Sequence, residues 1–245
     1  MSLLRVLPLV LIAALLAGCG SDDDGNTTLQ VFAAASLRGS FEEIADAFED
    51  QHDDVDVRLN FAGSSELTLQ ISEGADADVL ATADEPTMAK VADLLGAPAT
   101  LFASNTLRIV VPAGNPDQVT GLADLAGLDL VVCAPQVPCG AASTRVAQAA
   151  GITLSPVSEE LNVTEVLSKV TSGQADAGLV YLTDVMAAGD AVEGLDFPES
   201  ADAVNHYPIA RLDDSADAEL AGEFVAFVAG ADGQAILREA GFAAP

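Results

Sequence analysis

The chain has no tryptophan, and only two tyrosines and nine phenylalanines among 245 residues. So little aromatic surface excludes a stacked-ring pocket of the kind that grips sugars or nucleobases, and leaves a core built on Ala, Val, Leu and Ile. Positive charge is equally scarce. Nine Lys and Arg face 38 Asp and Glu, giving a formal charge of −29, and Lys90 and Lys169 are the only lysines. Nucleic acid and anionic lipid surfaces are poor partners on that ground. Histidine is limited to His52 and His206. Neither has ligand-like spacing to a cysteine, and neither stands in a recognisable relation to a serine or cysteine nucleophile. Long apolar runs are missing after the first sixteen residues.

What is present begins with a leader. Arg5 supplies a positive end, residues 7–16 an apolar run too short to span a bilayer and stay, and Leu16-Ala17-Gly18-Cys19 a small-residue cleavage pattern. Residues 1–19 resemble a bacterial lipoprotein signal, in which Cys19 becomes the lipidated first residue of the mature chain. Residues 20–28 are polar and without periodicity, a solvated tether. The globular part is thus expected outside the cytoplasm, lipid-anchored to the cell membrane. In that oxidising compartment the two remaining cysteines, Cys133 and Cys139, read as a disulfide, with a reactive thiol as the alternative. Closing so small a loop contributes about 2–3 kcal/mol. The acids are scattered (Asp46, Glu49, Asp53, Asp54, Asp213, Asp214 and others), which describes a solvated acidic surface suited to salt.

Strand and helix patterns then alternate. Val31-Phe32-Ala33-Ala34-Ala35-Ser36-Leu37 runs an apolar strand into small residues and a hydroxyl. Leu37, Phe41, Ile44, Ala45 and Phe48 follow at the spacing of one buried helix face, which puts Ser36 at the N-cap. Residues 55–61 alternate at period two, and Ala62-Gly63-Ser64-Ser65 leads into a helix over 67–73. A third strand is expected at 78–82, and Pro86 opens the next helix. Residues 106–112 form a strand that crosses into a second lobe. There the pattern gives a strand over 128–133, a Pro-rich loop, a helix over 141–150, a helix capped by Thr164, and an apolar strand over 177–181 ending in Tyr181. Residues 204–212 return to the first lobe, and two helices close the chain. Such alternation predicts parallel sheets with helices on both faces and a ligand at the carboxyl ends of the strands. The lobes are expected at 29–106 with 205–245, and at 107–204.

Ser36, Ser64, Cys139 and Val163 each lie at or beside a helix start, and Tyr181 at a strand end. A first helical turn leaves amides unpartnered and carries the positive end of the peptide dipole, so it suits an anion without any lysine. A single N-capping serine is commonplace; the recurrence is what points to a site. The two serines with their amides, the two other amides and the phenol make about seven donors, enough for a tetrahedral ion with four oxygens. A fully ionised oxyanion only accepts hydrogen bonds. A protonated phosphate also needs a carboxylate facing it, and Glu66 and Asp184 are the acids near these corners.

The Phe-Ala-Ala-Ala-Ser-Leu stretch, Phe61-Ala62-Gly63-Ser64-Ser65, Ala77-Asp78-Val79, Val137-Pro138-Cys139-Gly140, Asn162-Val163 and Gly178-Leu179-Val180-Tyr181 are together similar to the motifs of the molybdate-binding proteins of bacterial ABC importers. They occur in the family's order across essentially the whole chain after the leader. The resemblance implies an α/β, two-lobed type II periplasmic-binding-protein fold, each lobe a mostly parallel sheet flanked by helices, with a hinge between them. It implies a monomer without cofactor or catalytic activity that closes on molybdate or tungstate and presents it to a membrane permease. Ser36 and Ser64 would give hydroxyl and amide bonds, Cys139 and Val163 backbone amides, and Tyr181 its hydroxyl, the metal being held only through its oxygens. Better-known members have alanine where this chain has Cys139, a departure that is tolerated if only the amide is used. Sulfate is the rival cargo, since the same donors serve it. Ferric iron is disfavoured because Tyr181 and Tyr207 are not adjacent, and a Ser36 or Cys139 hydrolase lacks a base. Tyr207 and His206 read as return-strand residues.

Overall fold

The computed structural model describes residues 27–245. The expected leader, the lipidated Cys19 and most of the tether lie outside the described residues. Thr27 and Thr28, expected in the tether, are strand: they pair with Val55 and Asp56, and the Thr27 amide donates to the Asp54 carbonyl at 2.7 Å.

Along the chain come β1 (Thr27–Ala34), α1 (Arg38–Glu49), β2 (Val55–Ala62), α2 (Ser64–Ser72), β3 (Val79–Ala81), α3 (Glu85–Met88) and β4 (Thr100–Asn105). Next are β5 (Leu107–Pro112), β6 (Leu130–Cys133), α4 (Pro138–Ala150), β7 (Ser158–Glu160), α5 (Val163–Thr171), β8 (Ala177–Tyr181), α6 (Leu182–Ala188) and β9 (Val192–Leu195). The chain ends with β10 (Asn205–Arg211), α7 (Ala218–Ala229) and α8 (Ala231–Glu239). Two five-stranded sheets result, ordered β2-β1-β3-β10-β4 and β7-β6-β8-β5-β9.

Both sheets are mixed. Four strands of each share one direction, while β10 in the first and β5 in the second run antiparallel to both neighbours. The reversed strand in each case is the one that has just crossed from the other sheet, so the expectation of mostly parallel sheets misses only these two. The crossings lie side by side: Asn105, the last residue of β4, pairs with Asn205, the first of β10.

The few aromatics are concentrated rather than absent from the core. Phe41 and Phe48 of α1, Phe102 of β4, Tyr207 of β10, Phe224 of α7 and Phe242 meet on one face of the first sheet, largely edge to face. Phe32, Leu67, Ile71, Leu80 and Met88 fill the other face under α2 and α3. The second lobe is packed mainly with Val and Leu. Its strand β8 is buried at every residue, because helices cover both faces of the sheet and no polar alternation is called for.

Helices α2 and α4 start three residues before the expected positions. Apolar spacing registers only the buried turns, whereas the first turns of these helices carry small and polar residues toward the gap between the lobes. The cap of α5 is Asn162 and not Thr164: the Asn162 carboxamide oxygen accepts from the Glu165 amide at 3.0 Å, which puts Thr164 inside the first turn. Strands β4, β7 and β9 were not expected as separate elements. They are short or lie at sheet edges, with sequences such as Ser-Glu-Glu that carry little strand pattern.

Candidate functional site

Strands β1, β2 and β3 of the first sheet and β6, β7 and β8 of the second bring their carboxyl ends to one small cavity between the lobes. Its lining includes Ala34, Ser36, Gly63, Ser64, Ala83, Pro138, Cys139, Asn162, Val163 and Tyr181. All five residues expected to bind a ligand are therefore gathered at one place. The cavity volume is about 20 Å³. A single ordered water needs ~10–15 Å³ on this measure, so the space is of the size of a small ion.

Three helices of nine or more residues start at this cavity, α2 at Ser64, α4 at Pro138 and α5 at Val163. Their first-turn amides have no acceptor within the helix, and their dipoles add where they converge. Pro138 occupies the first position of α4 without an N–H, which makes the amide of Cys139 the first free donor there. Cys139 is bonded through sulfur to Cys133 at the end of β6, with Cα atoms 5.6 Å apart. That bond ties the donor turn to the strand behind it. Gly140 packs the turn still closer, since a Cβ there would meet the Ala134 carbonyl oxygen at 1.9 Å.

The hydroxyls are held from behind. Ser64 Oγ accepts from the Ala83 amide at 3.0 Å, and Tyr181 Oη accepts from the Asn205 carboxamide Nδ2 at 3.0 Å. Ser36 differs from expectation. A 3₁₀ turn over Ala35–Leu37 precedes α1, so Ser36 sits inside the first turn and caps nothing; its Oγ lies 3.1 Å from Tyr207 Oη. Asn205 also donates to the Ala83 carbonyl at 2.8 Å, and Asn105 donates to Thr183 Oγ1 at 2.9 Å. The two residues at the crossings thus knit the cavity floor to both lobes.

Among the described residues, no charged side chain lines the cavity. Burial first, then Tyr207 and the carboxylates of Asp184 and Asp84, push the Tyr181 phenol well above its ordinary pKa, so it keeps its proton. Burial likewise raises Tyr207. Asp184 lies one layer back, where burial lifts its pKa to about 7 against the opposing hydrogen bond from the Tyr181 amide at 2.8 Å. Asp84 caps α3 through the Thr87 amide at 2.9 Å, and Glu66 is exposed on α2. Neither of the acids nearest the corners in sequence, Glu66 and Asp184, reaches the ligand space.

Over the cavity the lobes touch. Ser65 Oγ of the first donates to the Gln136 carbonyl of the second at 3.1 Å, and Gly63 packs against the Leu161 carbonyl. Sequence reasoning missed Gly63, Ala83 and Asn162 as lining residues, and Asn105, Asn205 and Tyr207 as the layer behind. Tyr207 lies in the return strand β10, as expected, yet its ring is 6.0 Å from that of Tyr181. The two phenols, far apart in sequence, are neighbours in space, which removes their separation as an argument against iron. What distinguishes the two phenols is that Tyr181 lines the cavity and Tyr207 is engaged behind Ser36.

Two α/β lobes joined by a pair of adjacent crossings, with a small cavity between them at the strand carboxyl ends and helix starts, define a two-lobed solute-binding protein. The chain belongs to the bacterial extracellular solute-binding proteins, whose family pattern it matches over residues 29–243. It is 47% identical over 249 residues to the molybdate-binding protein ModA of Mycobacterium tuberculosis, covering 96% of this chain and 95% of that protein. The fold matches the periplasmic molybdate-binding protein of Azotobacter vinelandii with a TM-score of 0.77 at 24% identity, over 89% of this chain and 99% of that one. It also matches the sulfate-binding protein SubI of Mycobacterium tuberculosis, with a TM-score of 0.76 at 18% identity, over 89% and 87% of the two chains.

Proposed function

We propose that this protein captures molybdate or tungstate outside the cytoplasm, as a monomer tethered through a lipidated Cys19, and delivers the ion to an ABC permease in the membrane. The observation that carries the reading is the state of the three hydroxyls. Ser64 and Tyr181 already accept a protein N–H at the oxygen, so the proton of each is left to point into the cavity. Ser36 Oγ and Tyr207 Oη share a hydrogen bond of 3.1 Å that either can donate, and on the proposed reading Tyr207 donates, which frees the Ser36 proton for the cavity too. Together with the amides of Ser36, Ser64, Cys139 and Val163 they make a cage that donates and does not accept. Such a cage fits a fully ionised tetrahedral oxyanion and rejects one that keeps a proton.

Affinity comes from dipoles aimed before the ion arrives, in a space too small to keep water beside it. The ion bridges Ser36 and Ser64 on one lobe to Cys139, Val163 and Tyr181 on the other, so binding stabilises the closed arrangement. The hinge is the pair of crossings at Thr106 and Val204, between the segments 29–106 with 205–245 and the segment 107–204. Cys139 acts through its amide alone; with its sulfur bonded to Cys133 it offers no thiol nucleophile. Identity of 47% to a molybdate-binding protein supports this cargo over sulfate, for which the same donors are suitable.

The test is calorimetric titration of the leader-less protein with molybdate, tungstate and sulfate separately, in a buffer free of phosphate and sulfate. Tight binding of the first two with weak or absent sulfate binding is expected, and Ser64→Ala should weaken molybdate about ten- to a hundredfold, the worth of a hydrogen bond to a charged group. Sulfate binding as tight as molybdate, or no response to any of the three, would refute the proposed cargo.

A further inference from the structure

Among the described residues Arg145, like Lys90, Arg211 and Arg238, makes no salt bridge, although the chain carries 38 acidic side chains against nine basic ones. What sets Arg145 apart is where its guanidinium is directed. It projects from α4, the same helix whose first turn offers the Cys139 amide, and it is partly buried. Among the described residues its one hydrogen-bond partner is Asn205, whose Oδ1 accepts from Arg145 Nη2 at 3.0 Å. Asn205 is buried, and on its other side Nδ2 donates to Tyr181 Oη at 3.0 Å. Tyr181 lines the cavity; Arg145 and Asn205 do not.

We infer that Arg145 is a positioning residue for the oxyanion, supplying its positive charge to the bound ion through Asn205 and the Tyr181 hydroxyl without touching it. The chain of donors runs one way. A guanidinium bonded to the Asn205 carbonyl draws electron density from the carboxamide, which makes its N–H a stronger donor to the phenol oxygen, and the phenol proton in turn a stronger donor to the ion. Linked hydrogen bonds in a buried, low-dielectric setting reinforce one another in this manner. Setting the charge behind a neutral amide leaves the cage itself uncharged, so the geometry of donors selects the ion, and the relay adds to its affinity. An arginine in the cavity would attract any anion and fill a space that has room for one.

The inference rests on the oxyanion reading, and its test separates the two. Titrations compare wild type, Arg145→Met, Tyr181→Phe and the double variant, using whichever of molybdate, tungstate or sulfate the wild type binds. A wrong cargo would show in the wild-type titrations, and a wrong relay only in the cycle. Arg145→Met is expected to weaken binding about five- to twentyfold in the wild-type background and less than about twofold once Tyr181 is Phe, because the relay then ends on nothing. Arg145→Lys should recover part of the loss and Arg145→Gln none of it. The uncharged but hydrogen-bonding Gln variant keeps the test valid if Met disturbs α4, and thermal melting of each variant checks the fold. Equal losses from Arg145→Met in both backgrounds, or full recovery by Gln, would overturn the relay.

Discussion

The carboxyl group of Asp184 gives the stability of the fold a pH dependence. It is 7% exposed, takes the amide of Tyr181 at 2.8 Å, and has its pKa lifted by burial from 3.8 to about 7. In the unfolded chain it ionises at the ordinary carboxylate value, so between pH 3.8 and about 7 the folded state holds the extra proton. Its protonation therefore favours the fold at low pH, and that contribution is lost as pH rises through about 7. At ~1.4 kcal/mol per pKa unit the burial of the ionised form costs a few kcal/mol above neutrality. Asp184→Asn keeps an oxygen acceptor for the Tyr181 amide and cannot ionise. Its melting temperature should exceed that of wild type by clearly more at pH 8 than at pH 5, where only part of the window between 3.8 and about 7 has been crossed. An offset that is the same at both pH values would show that Asp184 is not titrating across this range. The same residue illustrates what the chain concealed. Ser36, Ser64 and Tyr181 were legible as a site because a hydroxyl at a strand-to-helix corner has a local pattern. Asp184, Asn105, Asn205 and Tyr207 act from the layer behind, and nothing in their neighbours along the chain marks which strand they will face.

At the scale of elements the decisive contact is between the corner ahead of α2 and the turn ahead of α5. Gly63 has ordinary extended backbone angles, φ −61° and ψ 136°, so its own lobe does not require a glycine there. Across the cleft, however, a Cβ would meet the Leu161 carbonyl oxygen at 2.5 Å. This separates folding from closure. Gly63→Ala is expected to melt like wild type without ligand, yet to bind the oxyanion about five- to a hundredfold more weakly, matching the ~1–3 kcal/mol typical of overpacking. Small-angle scattering should show it remaining extended at ion concentrations that compact the wild type. Unchanged affinity together with normal compaction would mean that the lobes close without this contact. The corner itself was readable as Gly-Ser-Ser between a strand and a helix, and the alternation of elements gave both lobes and both crossings. The small size of residue 63 had no visible purpose until Leu161, nearly a hundred positions further on, was seen against it. Helix starts were misplaced for a related reason: periodicity reports burial, and the first turns of α2 and α4 are directed at the cavity between the lobes.

For the whole molecule the governing quantity is a formal charge of −29, which becomes one unit more negative if the leader and its Arg5 are removed. A dianion approaching this surface is repelled over any distance that salt does not screen. Between about 0.01 M and about 0.1 M NaCl the Debye length falls from ~30 Å to ~10 Å, shrinking the repulsive zone to the immediate surroundings of the cleft. Association should accelerate over that range, opposite to the usual behaviour of electrostatically steered pairs, because here protein and ligand share the same sign. On the proposed reading dissociation is set by short-range hydrogen bonds between the lobes, which salt screens little, and should change little. Stopped-flow mixing with molybdate reads the two rates separately, and an association rate that falls as NaCl rises would contradict the charge argument. Arg145→Met provides an internal comparison. Removing one of nine positive side chains barely alters the long-range field, so its association rate should follow the wild-type salt curve, while loss of the relay to Tyr181 should appear as faster dissociation at every salt concentration. The global charge thus governs how often the ion reaches the cleft, and the uncharged donors with the one arginine behind them govern how long it stays.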